Sequence, residues 1–405
     1  MLPLRHLRIV NAVIVSGGVR AASDTLLRAA SAVSRSVSLL EAAIGLPLFE
    51  RKGRGMLATA AGELVQNRFA RLDVELREVL ADAQATDAVT RHGPLTATAL
   101  DVLCDERWLL TASLLAELHH MPTVGVRLGV SQPAISAAVN RLETALQHRL
   151  FARTARGLLP TDLGARWLPR FDRALNELRY LHDDLAALRG FVQGTVIVGA
   201  LPLARTRVLP LAIAALHARH PQLRVQSVES PYEQLRTDLM HGKIDFIIGA
   251  LRPNPDPVLQ TESLFAEPLG IIAAASHPLQ ACTHLSISEL RRQSWVLSRL
   301  GSPLRTALNE YFLRFGESPP VPVVETGDLA MVRGLLLDGG MITVLSSHQL
   351  RYELEAGQVR LLPVDMSGLQ REIGITTRRH ANLPASVQAL LSEIRSVVKS
   401  TIDAR

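Results

Sequence analysis

Cysteine is nearly absent: the 405 residues hold two, Cys104 and Cys282. Two thiols cannot build a disulfide framework or a four-cysteine zinc site. Both are expected to be inert core residues in a reducing compartment. No apolar run approaches the ~18 residues of a membrane-spanning helix, and Gly270-Ile271-Ile272-Ala273-Ala274-Ala275 is typical of the longest. No membrane partner is expected. The start, Met1-Leu2-Pro3-Leu4-Arg5-His6, lacks a charged segment followed by an apolar one and a cleavage site, which predicts a cytoplasmic protein. Catalytic motifs are missing as well. There is no Gly-Xaa-Ser-Xaa-Gly elbow, Walker A loop or HExxH. The glycines from Gly190 to Gly199 do not form a dinucleotide loop, and His119-His120 lacks the i, i+4 spacing of a helical metal pair. No enzyme, cofactor or metal is expected.

What is present is ordinary for a globular chain, 47% hydrophobic and 20% charged residues, which argues against disorder. The length predicts two to four domains at ~100–200 residues each. The net charge of +6 is unevenly spread. Residues 1–60 carry eight Arg/Lys and three Asp/Glu, residues 61–122 five and ten, and residues 123–170 seven and two. Two basic segments of +5 thus flank an acidic spacer of −5. A basic module is the footprint of a phosphate-binding surface, although chance clustering on a solvated face would look the same.

The two basic segments are copies. Shifting the first by 102 residues puts Leu40-Glu41 on Leu142-Glu143, Leu48-Phe49 on Leu150-Phe151, Arg51 on Arg153, Arg54-Gly55 on Arg156-Gly157, Thr59 on Thr161 and Gly62 on Gly164. From Leu26 to Leu64, 15 of 39 positions are identical without gaps, a tandem duplication. Each copy reads as a helix-turn-helix followed by a wing. In the second, Pro122 to Leu128 predicts a short helix and Gly129 the turn, where positive φ is needed. Ser131 is the expected N-cap, with Pro133 in the first turn. Ile135, Val139, Leu142 and Leu146 make the apolar stripe. Ser131, Gln132, Pro133, Ser136, Asn140 and Arg141 are then offered to a major groove, and Arg153 and Arg156 on the wing to phosphates or the minor groove. The first copy offers Ser31, Ser34, Arg35 and Ser36, with Arg51 and Arg54 on its wing. Its turn is less well specified, because Leu27 stands at the position of Gly129 and Ala29 at that of Ser131.

These residues resemble the LysR-type transcriptional regulators. The carriers are Gly129-Val130-Ser131-Gln132-Pro133-Ala134-Ile135-Ser136, Leu142-Glu143, Leu150-Phe151-Ala152-Arg153 and Thr161 with Gly164. The resemblance runs from about residue 106 to the end, and residues 1–90 repeat its first part. A single-copy member of the family would end near 300 residues, so the surplus of roughly 100 matches the repeat. The resemblance implies double-stranded promoter DNA and a small-molecule effector as partners, assembly as a homodimer or homotetramer, and RNA polymerase as a further partner. It also implies linker helices that pair antiparallel between two chains.

After each wing comes a long helical stretch with heptad spacing: Val65, Phe69, Leu72, Leu76, Val79, and Leu168, Phe171, Leu175, Leu178, His182, Leu185. Such seams are satisfied by a partner chain or by each other, which leaves a pseudo-dimer inside one chain as the alternative. Ala83 to Thr98, with Gly93-Pro94, reads as a loop. From Phe191 the pattern changes to alternating strands and helices with βαβ logic and parallel strands. Expected strands are Thr195–Gly199, Leu223–Val228, Asp245–Gly249, Trp295–Ser298, Val321–Glu325 and Met341–Leu345. Glu372–Thr377 is expected to cross back to the first lobe, and 386–399 to close the domain as a helix.

Gly199-Ala200-Leu201-Pro202, Asp245-Phe246-Ile247-Ile248-Gly249, Ser276-His277-Pro278-Leu279 and Gly339-Gly340-Met341-Ile342 are similar to the family's two-lobed effector domain, which is like the periplasmic binding proteins. They are also similar to the subgroup that governs aromatic-acid or sugar catabolism. Ligands in such clefts meet strand ends and helix starts. That nominates Ala200, Leu201, Pro202, Leu203, Arg205 and Thr206 on one lobe, and Ser298, Arg299, Gly301, Ser302 and Thr326 on the other. Arg205 or Arg299 would pair an effector carboxylate, since guanidinium matches its two oxygens.

The expected fold class is mixed α and α/β. A winged helix-turn-helix over 1–62 and its linker helix over 63–92 precede a second winged module over 93–164 and linker over 165–192. A two-lobed α/β domain spans 193–405. The reading that follows is a sequence-specific, effector-responsive DNA-binding regulator. The alternative is a solute sensor whose helical modules only bind proteins.

Overall fold

The structure, a computed structural model, describes residues 2–52, 55–90, 98–155, 157–253 and 256–402. It divides into two compact units. The first comprises residues 1–194 with two short pieces, 240–243 and 383–386; the second is the remainder.

In the first unit, helices α1 (Leu4–Ser16), α2 (Val19–Leu26) and α3 (Ala30–Ile44) lead into a hairpin, β1 (Phe49–Lys52) and β2 (Gly55–Ala58), and then into the long helix α4 (Ala60–Thr90). A short α5 (Ala99–Leu103) precedes the second set: α6 (Glu106–Leu118), α7 (Met121–Leu128), α8 (Gln132–Leu146), β3 (Phe151–Thr154), β4 (Gly157–Pro160) and α9 (Asp162–Leu188). Moving α1, α2, α3, β1 and β2 forward by 102 residues gives the bounds of α6, α7, α8, β3 and β4 without deviation. The duplication is therefore one of structure as well as sequence. One expectation fails here, because residues 83–90 continue α4 instead of forming a loop. Gly93-Pro94 lies outside the described residues.

The same contacts build both wings. Glu41 and Glu143 each accept a hydrogen bond from the backbone N–H seven residues on, Leu48 and Leu150, both at 2.8 Å. Thr59 and Thr161 each donate to a backbone carbonyl twelve residues back, at 2.7 Å, and each accepts from the N–H of Gly62 or Gly164. A Cβ on Gly62 or Gly164 would lie 2.3 or 2.1 Å from the carbonyl oxygen of Leu48 or Leu150. Only glycine permits that approach of linker helix to wing, which is why Thr-Xaa-Xaa-Gly occurs twice.

The turns differ. Gly129 sits at φ 68°, and its counterpart Leu27 is forced to φ 52° while 93% exposed. A left-handed non-glycine residue costs roughly 1–2 kcal/mol, and the extra unfolded-state freedom of glycine returns roughly half of that. Leu27→Gly is expected to stabilise the first module by about 0.5–1 kcal/mol; a denaturant titration of the full chain showing a loss would overturn this account.

The two long helices pair with each other. Arg68 of α4 meets Glu177 and Asp184 of α9 at 2.8 and 2.7 Å, Glu75 meets Arg173 at 2.7 Å and Arg170 at 3.1 Å, and Asp82 accepts from the Trp167 indole at 2.6 Å. Partners descend along α9 as α4 ascends, so the pair is antiparallel. Val65, Phe69, Leu72, Leu76 and Val79 face Leu168, Phe171, Leu178 and Leu185, all buried in one core that runs through both copies. Burying each such side chain stabilises by roughly 1.5–3 kcal/mol. The seam on α9 passes through Leu181, and His182 is 66% exposed on its flank.

The second unit holds β5 (Gly194–Ala200), α10 (Pro202–Thr206), α11 (Val208–Arg219), β6 (Leu223–Val228), α12 (Tyr232–His241), β7 (Phe246–Ala250), β8 (Leu259–Pro268) and β9 (Gly270–Ala274). Then come α13 (Ile287–Arg291), β10 (Val296–Leu297), α14 (Pro303–Arg314), β11 (Val324–Glu325), α15 (Leu329–Leu337), β12 (Thr343–Leu345), α16 (Arg351–Glu355), β13 (Val359–Leu361), β14 (Gln370–Arg378) and α17 (Ala385–Ile402). One lobe is a five-stranded sheet in the order β6-β5-β7-β14-β8. The other combines β12-β9-β13 with the parallel pair β10-β11, tied through a Trp295–Ile342 bridge. Segment 370–378 does cross back, pairing with β7 and β8. The sheets are not wholly parallel as expected, because β14, β12 and β13 run antiparallel to their neighbours. Strand β11 is two residues long where five were expected, since Val321 and Val323 are exposed and only the end pairs. Cys104 is buried, and burial pushes its thiol up to about 12, so it is inert. Cys282 is exposed instead of in the core, because it follows the short 3-10 turn Pro278–Ala281, which buries no residue.

Candidate nucleic-acid interface and effector cavity

Helix α8 is amphipathic in the way its sequence dictates. Ile135, Val139, Leu142 and Leu146 are buried, while Gln132, Pro133, Asn140 and Arg141 are exposed and Ser136 is half-buried. Pro133 fits because the first helical turn needs no amide donor. Ser131 takes the extended N-cap conformation, φ −72° and ψ 154°, yet its side chain makes no capping bond. The Arg141 guanidinium lies 5.0 Å from the Trp108 ring of α6, a cation–π contact. On the wing, Arg153 is exposed. Arg156 falls outside the described residues.

On α3, Ser31, Ser34 and Arg35 are exposed. Ser36 is not: it is buried, and its hydroxyl donates to the carbonyl of Ala32 at 3.0 Å. The reason is the 3.6-residue period, which puts Ser36 on the inner face with Val33, Val37 and Leu40. Arg54 lies outside the described residues, as does the side chain of Arg51.

The second unit contains a cavity of about 110 Å³ at the strand ends of both lobes. Leu201, Pro202, Leu203, Ser298, Ser302 and Thr326 line it, six of the residues expected from sequence. Ser298 and Ser302 hydroxyls are 2.8 Å apart, and Ser302 also caps α14 by accepting from the Arg305 amide. Thr326 accepts from the Asp328 amide at 3.0 Å. Ala200, Arg205, Arg299 and Gly301 are not in the lining. Ala200 is buried within β5, Arg299 is exposed, and Thr206 lines a separate small pocket with Phe265 and His348.

The cationic groups in the cavity wall are two arginines that sequence reasoning missed, Arg252 and Arg371. Arg371 is engaged, donating to Glu267 at 2.6 Å and Gln349 at 2.9 Å. Arg252 lies 4.3 Å from the Tyr232 ring centre, and its Nη1 is buried without a hydrogen-bond partner among the described residues. Burial pulls the Arg252 guanidinium below its ordinary range. The one available signal was its place two residues beyond the end of β7, in the same position relative to its strand end as Pro202 after β5.

Two winged helix-turn-helix modules, each leading into a linker helix, followed by an α/β domain with an interlobe cavity, define a DNA-binding, ligand-responsive protein. Sequence comparison reaches the same class. The family model described as "LysR substrate binding domain" matches residues 189–399, and "Bacterial regulatory helix-turn-helix protein, lysR family" matches residues 4–63 and again 107–165. The chain belongs to the LysR family of transcriptional regulators. It is 42% identical over 386 residues to the HTH-type transcriptional regulator GalR of Pseudomonas putida, covering 94% of each chain. It is 29% identical over 244 residues to the regulator CfxR of Cupriavidus necator, 60% of this chain and 76% of that one. Among solved structures it is similar to full-length OxyR from Pseudomonas aeruginosa (TM-score 0.55, 24% identity, 72% of this chain and 97% of that one) and to CbnR, a LysR family regulator (0.54, 20%, 73% and 99%). Those two are spanned almost completely by under three quarters of this chain, whereas the similarity to GalR takes in nearly all of it.

Members of this family are DNA-binding transcriptional regulators with an effector-binding domain. The alternative of a solute sensor with protein-binding front modules is not favoured.

Proposed function

We propose that this regulator acts in the cytoplasm without catalytic activity, and that its two winged modules and its interlobe cavity are the working surfaces. Base edges are read from Ser31, Ser34 and Arg35 in the first copy and from Gln132, Ser136 and Asn140 in the second. Arg51, Arg54, Arg153 and Arg156 of the wings hold phosphates. The modules end near residues 62 and 164, and the effector domain begins near 193. The effector is an organic acid. The observation that carries this is Arg252, half-buried in the cavity wall with its Nη1 lacking a hydrogen-bond partner among the described residues, where a carboxylate would pair with it in bidentate fashion. A neutral sugar would give that N–H an acceptor but no countercharge. Effector binding between the lobes shifts the balance of effector-domain arrangements and so the winged modules on DNA.

Salt dependence tests the wing assignment. Each phosphate contact contributes about 0.9 to the slope of log affinity against log salt. Arg153→Ala is expected to lower that slope by about one and to weaken all duplex sequences alike. A loss confined to particular base pairs would place Arg153 at a base edge instead, and no loss would remove it from the interface.

A further inference from the structure

In this chain the contact between linker helices, which the family resemblance implies between two subunits, is already made within one. Exchanging the two copies maps Arg68 onto Arg170 and Glu75 onto Glu177. The structure contains both mates, Arg68–Glu177 at 2.8 Å and Arg170–Glu75 at 3.1 Å. A contact that recurs under exchange of the repeats is the mark of a two-fold axis, here an internal one between α4 and α9. Each wing joins its linker roughly 20 Å from the middle of the pair, at 1.5 Å per residue over about 13 residues. The two wing–linker joints therefore lie at opposite ends of the pair, roughly 40 Å apart along the helices, and the modules meet between them, where the Leu4 amide donates to Glu106 at 3.0 Å and Arg5 pairs with Asp105 at 2.9 Å.

The two reading surfaces are not equivalent. Arg35 of α3 corresponds to Ala137 of α8, whereas Gln132, Asn140 and Arg141 of α8 correspond to Ala30, Ser38 and Leu39 of α3. All eight are exposed. A guanidinium favours the acceptor pair of guanine, and Asn or Gln favours adenine. Both copies nonetheless retain their wing-root carboxylates Glu41 and Glu143 and their linker glycines Gly62 and Gly164, so neither has decayed as a module.

We propose that a single chain binds a complete pair of inverted half-sites in duplex DNA, and that the two half-sites differ in sequence because one is read by α3 and the other by α8. This rests on the DNA-contacting role given to both helices above. It reverses the usual relation of symmetry, in which a palindromic site mirrors a two-fold dimer.

The experiment uses the full chain. Random duplexes retained by the protein are sequenced to obtain its motif. Then Ala42→Cys and Thr144→Cys, equivalent exposed positions on α3 and α8, are each made in a Cys282→Ser background and carry an iron chelate that cuts nearby DNA. The expected motif has two unlike halves. The chelate at 42 cuts one half only, and the chelate at 144 cuts only the other. A palindromic motif cut in both halves from 144 and in neither from 42 would overturn the proposal, as would equal cutting of both halves from either position. Absence of any enriched motif would instead remove the DNA-contacting role on which the proposal rests.

Discussion

Arg68→Ala destabilises the helical unit by about 3–5 kcal/mol, the range for removing one partner of a buried ion pair. Arg68 is 3% exposed, held between Glu177 and Asp184 and stacked 5.1 Å from the Tyr180 ring. Burial works against its charge, but Glu177 and Asp184 together hold the guanidinium above its ordinary range. Truncation leaves two carboxylates without their cation on a helix seam, and that penalty, rather than the lost attraction, sets the size of the effect. The repeat supplies the control. Arg170 makes the equivalent bridge to Glu75 but is 30% exposed, and Glu75 keeps Arg173 at 2.7 Å, so Arg170→Ala costs about 1 kcal/mol or less. Denaturant unfolding of both variants at unchanged slope measures the difference. Equal losses would mean that burial does not govern this seam.

Arg252→Gln weakens binding of a carboxylate effector by 30-fold or more, which is about 2 kcal/mol, the lower end for truncating a hydrogen-bonded buried charge pair. The unliganded protein responds differently. Because Nη1 of Arg252 has no partner among the described residues, removing the charge relieves a desolvation cost while losing a cation–π contact of about 0.5–2 kcal/mol with Tyr232. The two oppose each other, and unliganded stability changes by less than about 1 kcal/mol. Thermal shifts against a panel of aromatic and aliphatic monocarboxylates, with and without the substitution, read both quantities. A large stability loss with unchanged ligand shifts would make Arg252 a structural residue. Arg371→Gln should do the reverse, since it ties Glu267, which is fully buried, to Gln349.

Much of this is legible in the sequence. Periodicity placed Ile135, Val139, Leu142 and Leu146 inside and Gln132 and Asn140 outside, because a helix face follows from spacing alone. The same rule, applied to the first copy, would have put Ser36 inside, and treating the polar run Ser34-Arg35-Ser36 as one surface was the error. Strand ends and helix starts located Ser298, Ser302 and Thr326, because their backbone geometry is local. Arg205 and Arg299 lie close in sequence to those ends, but whether a long side chain reaches a cavity depends on what packs around it.

The sequence by itself determined that this chain is a duplicated winged helix-turn-helix joined to a LysR effector domain. Repeat identity, the recurring Thr-Xaa-Xaa-Gly pattern and heptad spacing are all local or self-similar signals. Only the tertiary structure decided two matters. The first is that the linker seams pair inside the chain. A heptad stripe is equally satisfied by a partner's helix or by its own repeat, and choosing between them needs the register that sets Arg68 against Glu177. The second is that Arg252 and Arg371, not Arg205 or Arg299, line the cavity, and that Nη1 of Arg252 has no hydrogen-bond partner among the described residues. Burial without a partner is a property of every residue around a side chain, and no window of sequence contains them all.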